Sequence, residues 1–447
     1  MIPHRAHVFG LGVTGRATVD WLLRNGWMVI ATDDNVSPAL EITAQELKAF
    51  GAEILLGGHR GALEKHVDLV VLSPGIAPST PAIQERIRQG SEVIGEVELG
   101  WRNSRGTFAA ITGANGKSTT TALTGKIFEL SGRKSFTVGN IGIPLIEIAD
   151  STDEDSLIAL EISSYQLETI VGFRPKVAAL LNITPDHLER HGDLEGYCRA
   201  KARVWKNQES EDFIVFNADD PLVVERLPEA KSQKVPFSLA GPLTFGGWLE
   251  KGQFTFRFPD GSSLLIARGE ASLPGKHNEA NILAAVLIAK LSGVENSAIV
   301  EGVRSFKGLS HRLEPVRELN GVKYVNDSKA TNTDAGRWAL MATEAPVILL
   351  AGGRPKKGGF KPIRDAIEGK VKLLIVFGEA SDEILQDLGD LLPVVKRETM
   401  AEALELAKSE AYPGDTILLS PLCASFDQFR SFVHRGDVFK ELVKNLK

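Results

Sequence analysis

The run Phe108-Ala-Ala-Ile-Thr-Gly-Ala-Asn-Gly-Lys-Ser-Thr119 decides how the chain is read, because an apolar stretch breaks there into a glycine turn ending in Lys117, Ser118 and Thr119. This order predicts a strand, a phosphate loop and the start of a helix that continues to Phe128. Gly113 and Gly116 let backbone N–H groups, with those of Ala114 and Asn115 between them, face phosphate oxygens. Lys117 adds a mobile positive charge, and the Ser118 hydroxyl can ligate Mg²⁺. The loop is tighter than the common G-x-x-x-x-G-K-[ST], since Ile111 stands where the first glycine belongs. A plain glycine turn with a solvated lysine is the alternative, but the order of elements favours a bound nucleoside triphosphate.

Outward from that loop, a chain of 447 residues has room for roughly two to four domains. A net charge of -6 argues against nucleic acid as the main partner. Cys198 and Cys423 are the two cysteines and form no C-x-x-C motif, which points to a reducing compartment. The N-terminus lacks the apolar run of a signal peptide, and no segment approaches the roughly 20 apolar residues of a membrane span. A cytoplasmic protein without membrane insertion is expected.

Before the loop, His7-Val-Phe-Gly-Leu-Gly-Val-Thr-Gly15 carries G-x-G-x-x-G, and Asp33 closes the next apolar run at the position of a ribose-binding acid. A second apolar run ends in Ser73-Pro-Gly75. Taken alone the glycine motif suggests a dinucleotide, but the same turn serves any diphosphate laid on a helix N-terminus. Past the loop, Asn140 sits in a glycine-flanked turn, and Leu157-Ile-Ala-Leu-Glu161 is a strand ending in an acid that can reach Mg²⁺. Thr184-Pro-Asp-His187 ends another strand, and Lys201 lies on a following helix where nothing in the periodicity distinguishes it from a surface lysine. Residues 234 to 273 read as a small antiparallel region, and Pro274 opens a long helix in which Asn278 is a cap and Asn281 is free for a ligand. From about residue 309 a second doubly wound pattern begins, with His311 and Arg312 at the junction. Its polar segments are 326 to 332, 352 to 360 and 420 to 429, three loops on one carboxyl edge.

Eight ordered motifs, from Gly10-Leu-Gly-Val-Thr-Gly15 to Ser420-Pro-Leu-Cys-Ala-Ser-Phe-Asp-Gln-Phe429, resemble those of the Mur ligases of bacterial peptidoglycan synthesis over essentially the full length. Asn182-Ile-Thr-Pro-Asp-His187, His277-Asn-Glu-Ala-Asn281 and Asn326-Asp-Ser-Lys-Ala-Thr-Asn332 are among them. The resemblance implies three α/β domains. They are a Rossmann-like UDP-sugar domain (1–95), a central P-loop ATPase-like domain with a mainly parallel sheet plus a small antiparallel one (96–308), and a C-terminal Rossmann-like domain (309–447). It implies a monomer that uses ATP and two Mg²⁺ ions to join D-glutamate to UDP-N-acetylmuramoyl-L-alanine. Under that resemblance Val13, Thr14, Asp33, Ser73, Gly75 and Asn140 meet the UDP-sugar, whereas the phosphate loop, Asn281, Arg312 and Asp327 meet ATP. Asp33-Asp-Asn35 departs from the Asp-Thr-Arg of some relatives, which costs a cationic contact. Lys117, Glu161, His187 and Lys201 carry catalysis; Ser118, Glu161 and His187 hold metal, and Lys201 joins them once carbamylated by CO₂. Lys329, Thr331, Lys356, Ser425 and Phe432 grip the amino acid, with Lys357 an alternative to Lys356.

Other readings leave residues unused. A nicotinamide dehydrogenase explains Gly10 to Gly15 but not the phosphate loop, and a ligase for diamino acids would call for an Asp-Asn-Pro-Arg motif that is missing. A folate-extending ligase does not need the UDP-type first domain. A non-catalytic nucleotide binder has no use for Lys117, Glu161 and His187 together.

Overall fold

The computed structural model describes residues 4–273, 275–355 and 359–447, except for the side chains of Lys276, His277 and Asp334. The chain divides into two compact units, Met1–Phe306 and Lys307–Lys447. Three sheets run through them, two in the first unit and one in the second.

The first sheet holds β1 (Arg5–Phe9), β2 (Met28–Asp33), β3 (Glu53–Leu56), β4 (Leu69–Leu72) and β5 (Glu92–Gly95), all parallel, in the order β3-β2-β1-β4-β5. Its strand order reverses beside β1, so the loops after β1 and β4 flank one crevice at the carboxyl edge. Helix α1 (Val13–Arg24) follows β1 and buries Val19, Trp21 and Leu22 against the sheet.

The second sheet adds nine strands: β6 (Thr107–Thr112), β7 (Ser135–Gly139), β8 (Leu157–Glu161), β9 (Val177–Leu180), β10 (Phe213–Asn217), β11 (Gln233–Ser238), β12 (Gly246–Glu250), β13 (Gln253–Arg257) and β14 (Ser263–Ala267). They run β14-β13-β12-β11-β10-β9-β6-β8-β7. Strands such as Leu157-Ile-Ala-Leu160 are apolar without alternation because helices cover both faces. Only β12 to β14 form the antiparallel part; β11, inside the stretch expected to be antiparallel, pairs parallel to β10. Helix α2 (Lys117–Leu130) springs from the phosphate loop, and α3 (Leu194–Ala202) carries Lys201. Helix α4 (Lys276–Leu291) is apolar nearly all round, because it is wedged between α2 and strands β9 to β12.

The first two sheets are locked together by the segment Leu145–Ser151. Trp21 Nε1 donates to Asp150 Oδ1 at 3.0 Å, and Ile146 N donates to the buried Glu96 Oε1 at 2.8 Å. The joint near Gly95 is therefore packed.

The third sheet comprises β15 (Glu314–Leu319), β16 (Val322–Asn326), β17 (Val347–Gly352), β18 (Val371–Phe377), β19 (Val394–Lys396) and β20 (Thr416–Leu419), ordered β15-β16-β20-β17-β18-β19. Only the edge strand β15 is antiparallel. Helix α5 (Phe432–Asn445) closes the chain, with Phe439 and Val443 buried in the core on one side of this sheet.

Candidate active site

The phosphate loop lies at the carboxyl end of β6, where the order of the second sheet reverses. Gly113 (φ +155°) and Gly116 (φ +82°) hold backbone conformations that side chains disfavour. Space forbids a side chain as well: a Cβ on Gly116 would come within 2.3 Å of Asn281 Oδ1. Asn182, at the end of β9, braces the loop. Its Oδ1 accepts from Asn115 N at 2.8 Å, its Nδ2 donates to Asn115 O at 3.0 Å, and its carbonyl accepts from Ala114 N. Lys117 Nζ donates to Gly113 O and Ala114 O at 2.8 and 2.7 Å, folded back over the loop it would serve. Ser118 is buried on the first turn of α2, beside the half-buried Thr119.

Lys201 reaches this same loop. Its Nζ donates to Gly113 O at 2.7 Å, the side chain is 1% exposed, and the ammonium lies 4.6 Å from the Tyr197 ring centroid. Burial, and then the nearby Lys117 charge, pull its pKa well below the usual lysine value. Glu161, at the end of β8, is 2% exposed. Its Oε1 accepts from Asn140 Nδ2 at 2.8 Å, while its Oε2 is buried without a hydrogen-bond partner among the described residues. A buried carboxylate oxygen left unpaired is costly and fits a cation. No group of three or more His, Cys, Asp or Glu among the described residues is arranged to hold a metal by itself.

His187 adopts φ +54°, pairs through Nδ1 with Tyr165 Oη at 3.1 Å, and faces Asp186 and the Tyr197 ring. His187 and Lys201 thus border the same tyrosine.

Asn278 does not cap the helix as expected. Gly275 is the N-cap of α4, and Asn278 Oδ1 accepts from Asn281 Nδ2 at 3.1 Å. Asn281 is 6% exposed, and its Oδ1 accepts from Thr120 Oγ1, so its side chain ties α4 to α2.

At the first sheet's carboxyl edge, Gly15 permits contact with the loop after β1, since a Cβ there would stand 1.8 Å from Gly10 O. Ser73 Oγ donates to the same carbonyl. Val13 is exposed, Thr14 is half-buried, and Gly75 is exposed after β4. Both carboxylate oxygens of Asp33 are committed, one to Leu11 N and the other to Asn35 N, each at 2.9 Å. Beneath it runs a relay. Arg86 can only donate to His7 Nδ1, so His7 Nε2–H donates to Thr32 Oγ1, which also pairs with His59 Nδ1 at 2.7 Å. Burial first, then Arg86, push the His7 pKa down to about 2, keeping the imidazole neutral.

In the second unit, Asp327 follows β16. It accepts from Ser420 Oγ at 3.0 Å and Leu313 N at 3.2 Å, and burial raises its pKa to about 7. His311 and Leu313, on either side of Arg312, have φ of +65° and +41°, a strained segment pinned where Asn326 Nδ2 meets His311 Nδ1 at 3.0 Å. Lys329 Nζ lies 5.6 Å from the Phe432 ring centroid, Thr331 N bonds to Lys329 O, and Ser425 is buried. Lys356 and Lys357 fall outside the described residues.

Sequence reasoning passed over several participants. Tyr165 and Tyr197 frame His187, and Glu168 holds both Arg190 and His191 behind them. Arg435 is wholly buried at the base of the second unit's loops. A signal for it existed: Arg435, Phe439 and Val443 recur every four residues on the buried stripe of α5, where an arginine is out of place unless paired.

Comparison with known proteins agrees with this geometry. Three family models match in succession: "Mur ligase MurD-like, N-terminal domain" over residues 4–95, "Mur ligase middle domain" over 111–289, and "Mur ligase, glutamate ligase domain" over 311–423. Among solved structures, a pseudomurein peptide ligase type C from Methanothermus fervidus superposes with a TM-score of 0.60 at 18% identity, covering 99% of this chain and 100% of that one. A MurF ligase from Thermotoga maritima in complex with ADP gives 0.59 at 18% identity, covering 99% and 96%. These show a common fold. A UDP-N-acetylmuramoylalanine--D-glutamate ligase from Alkaliphilus metalliredigens is 45% identical over 444 residues, 98% of each chain. One of the same name from Pelotomaculum thermopropionicum is 40% identical, spanning 98% of this chain and 97% of the relative. By full-length likeness as well as by fold, the chain belongs to the Mur ligase family, in its branch of UDP-N-acetylmuramoylalanine--D-glutamate ligases.

Proposed function

We propose that this chain joins D-glutamate to the terminal carboxylate of UDP-N-acetylmuramoyl-L-alanine, consuming ATP, as a cytoplasmic monomer built of domains 1–95, 96–308 and 309–447. A carboxylate resists amine attack because its oxygen leaves poorly. Transfer of the γ-phosphoryl group makes an acyl phosphate and ADP; the amine of D-glutamate then attacks the carbonyl carbon, loses a proton, and displaces phosphate. Like charges must converge for this, and the phosphate loop answers with N–H groups and Lys117, which exchanges the carbonyls of Gly113 and Ala114 for phosphate oxygens.

The observation that supports the reading most is the company around Gly113 O: two lysines on one carbonyl, one of them, Lys201, within the field of Glu161, whose buried Oε2 lacks a partner among the described residues. Ser118, Glu161 and His187 are the donors that would hold Mg²⁺, which when bound neutralises phosphate charge during transfer. Burial and the Lys117 charge disfavour an ammonium at Lys201, which favours the amine form that adds to CO₂ with release of a proton, and the resulting carbamate would set an anion beside Lys117. Asn140 steers Glu161. The first sheet's crevice, with Val13, Thr14, Ser73 and Gly75, takes the UDP end, and Asp33 acts by shaping that loop. Lys329, Thr331, Ser425 and Phe432, together with Lys356, take the amino acid, a dicarboxylate that needs cations and hydroxyls at both ends. Asn281, Arg312 and Asp327 serve ATP.

The test is phosphate release from ATP with UDP-N-acetylmuramoyl-L-alanine, Mg²⁺ and a panel of D- and L-amino acids, with mass spectrometry of the product. Release confined to D-glutamate, with a product one glutamyl residue heavier, is expected. Release with another amino acid alone would move the specificity, and no release would remove the ligase reading.

A further inference from the structure

The buried guanidinium of Arg435 belongs to no part of the mechanism above, yet it touches every described loop proposed to grip the amino acid. It is 0% exposed on the first turn of α5. Its Nε donates to Ser328 Oγ at 3.0 Å and its Nη2 to Ser328 O at 2.8 Å, at the end of β16. Its Nη1 is shared between Gly352 O at 3.4 Å, the last residue of β17, and Cys423 O at 3.2 Å, in the loop after β20. Burial lowers its pKa to about 10, so it remains a cation at neutral pH.

Those acceptors are the roots of the gripping residues. Ser328 precedes Lys329, and Cys423 stands two residues before Ser425. Phe432, beneath Lys329 Nζ, lies one helical turn before Arg435, and its carbonyl accepts from Ser328 Oγ at 2.8 Å. The β17 and β20 loops are also zipped to each other, because Arg354 N donates to Ala424 O at 2.8 Å and Ala424 N donates back at 3.1 Å. The next residue on α5 must be glycine for a related reason: a Cβ on Gly436 would stand 2.2 Å from His311 Nδ1. One turn of α5 thus sets three strand ends and the strained His311 segment at once.

We propose that Arg435 is a positioning residue for the amino-acid substrate, clamping the loops after β16, β17 and β20 into one rigid receptor for a dicarboxylate. Lysine in its place keeps the charge but presents a point donor that cannot serve three carbonyls and a hydroxyl in a fixed fork. The inference rests on the assignment of these loops to D-glutamate.

Two measurements on the full-length protein test it. In steady-state assays Arg435→Lys should raise KM for D-glutamate by about 10–100-fold while KM for UDP-N-acetylmuramoyl-L-alanine stays within about twofold. Equal loss across all parameters, or no change, overturns the proposal. Hydrogen exchange without substrates should show amides of Lys329 to Thr331, Arg354 and Ala424 to Asp427 exchanging together about 10-fold faster in the variant, with those of β17 and β18 unchanged. Unchanged loops, or uniform acceleration across the unit, overturn it too. If the wild-type protein ignores D-glutamate, the functional reading fails and the exchange data still decide the clamp. Should Arg435→Lys not fold, Ser328→Ala removes the acceptor of Arg435 Nε together with the hydroxyl's own bond to Phe432 O, and should show the same loop pattern and KM split, weakened to about 3–10-fold.

Discussion

Replacing Gly116 by alanine sets a methyl group 2.3 Å from Asn281 Oδ1 and 3.4 Å from Leu181 Cδ1, at a backbone φ of +82°. The left-handed conformation costs an alanine about 1–2 kcal/mol. Asn281 cannot step aside freely, since it is 6% exposed and holds both Thr120 and Asn278. Losing one of those bonds adds about 0.5–1.5 kcal/mol. The sum, about 1.5–3.5 kcal/mol, corresponds to a roughly 10–400-fold smaller population of the loop conformation seen here. Affinity for a non-hydrolysable ATP analogue, measured by titration calorimetry, should fall by that factor, and the denaturant midpoint should fall with it if Asn281 moves instead. Gly241→Ala is the control, for nothing lies within 4 Å of its added Cβ. If Gly116→Ala binds the analogue within about threefold of wild type with an unchanged midpoint, the steric reasoning is wrong.

Two further outcomes follow from buried ionisable groups. Lys201→Ala should cut ligase activity at least about 10-fold, with partial rescue by formate, and intact mass of the wild type should carry one added CO₂; a free amine together with failed rescue would dismiss the carbamate. Glu96, fully buried with a pKa raised from 4.5 to about 7, is protonated more readily folded than unfolded. Its effect on stability therefore worsens as pH rises from about 4.5 to about 7, by at most about 3 kcal/mol, and then levels off. Glu96→Gln should flatten that part of the stability profile in urea melts; an unchanged slope would clear Glu96 of the effect.

Much of the architecture was legible because it is written locally. The apolar runs ending in Glu161, Asn182 and Asn326 announce strands, and glycines at 113 and 116 announce a turn that alanine resists. The short edge strands β3, β15 and β19 escaped, since β15 reads Glu-Pro-Val-Arg-Glu-Leu and gains its identity only by pairing with β16. Candidate site residues could be named from the sequence as types and positions, but not in their contacts. No periodicity could reveal that Lys201 meets the carbonyl of Gly113, 88 residues away, or that Asn281 spends its amide on Asn278 and Thr120. Asp33 was expected at a ribose, yet its oxygens hold Leu11 and Asn35 in place. Long-range polar contacts of this kind exist only once the sheets have brought the strand ends together.

The central claim is that the carboxylate is activated by phosphorylation before the amine attacks, and the fate of its oxygens tests this most directly. UDP-N-acetylmuramoyl-L-alanine carrying the heavy oxygen isotope in its terminal carboxylate is turned over with ATP, Mg²⁺ and D-glutamate, and the released phosphate is analysed by mass spectrometry. An acyl-phosphate route delivers one heavy oxygen to each phosphate. Phosphate free of the label, with product still forming, would contradict the account.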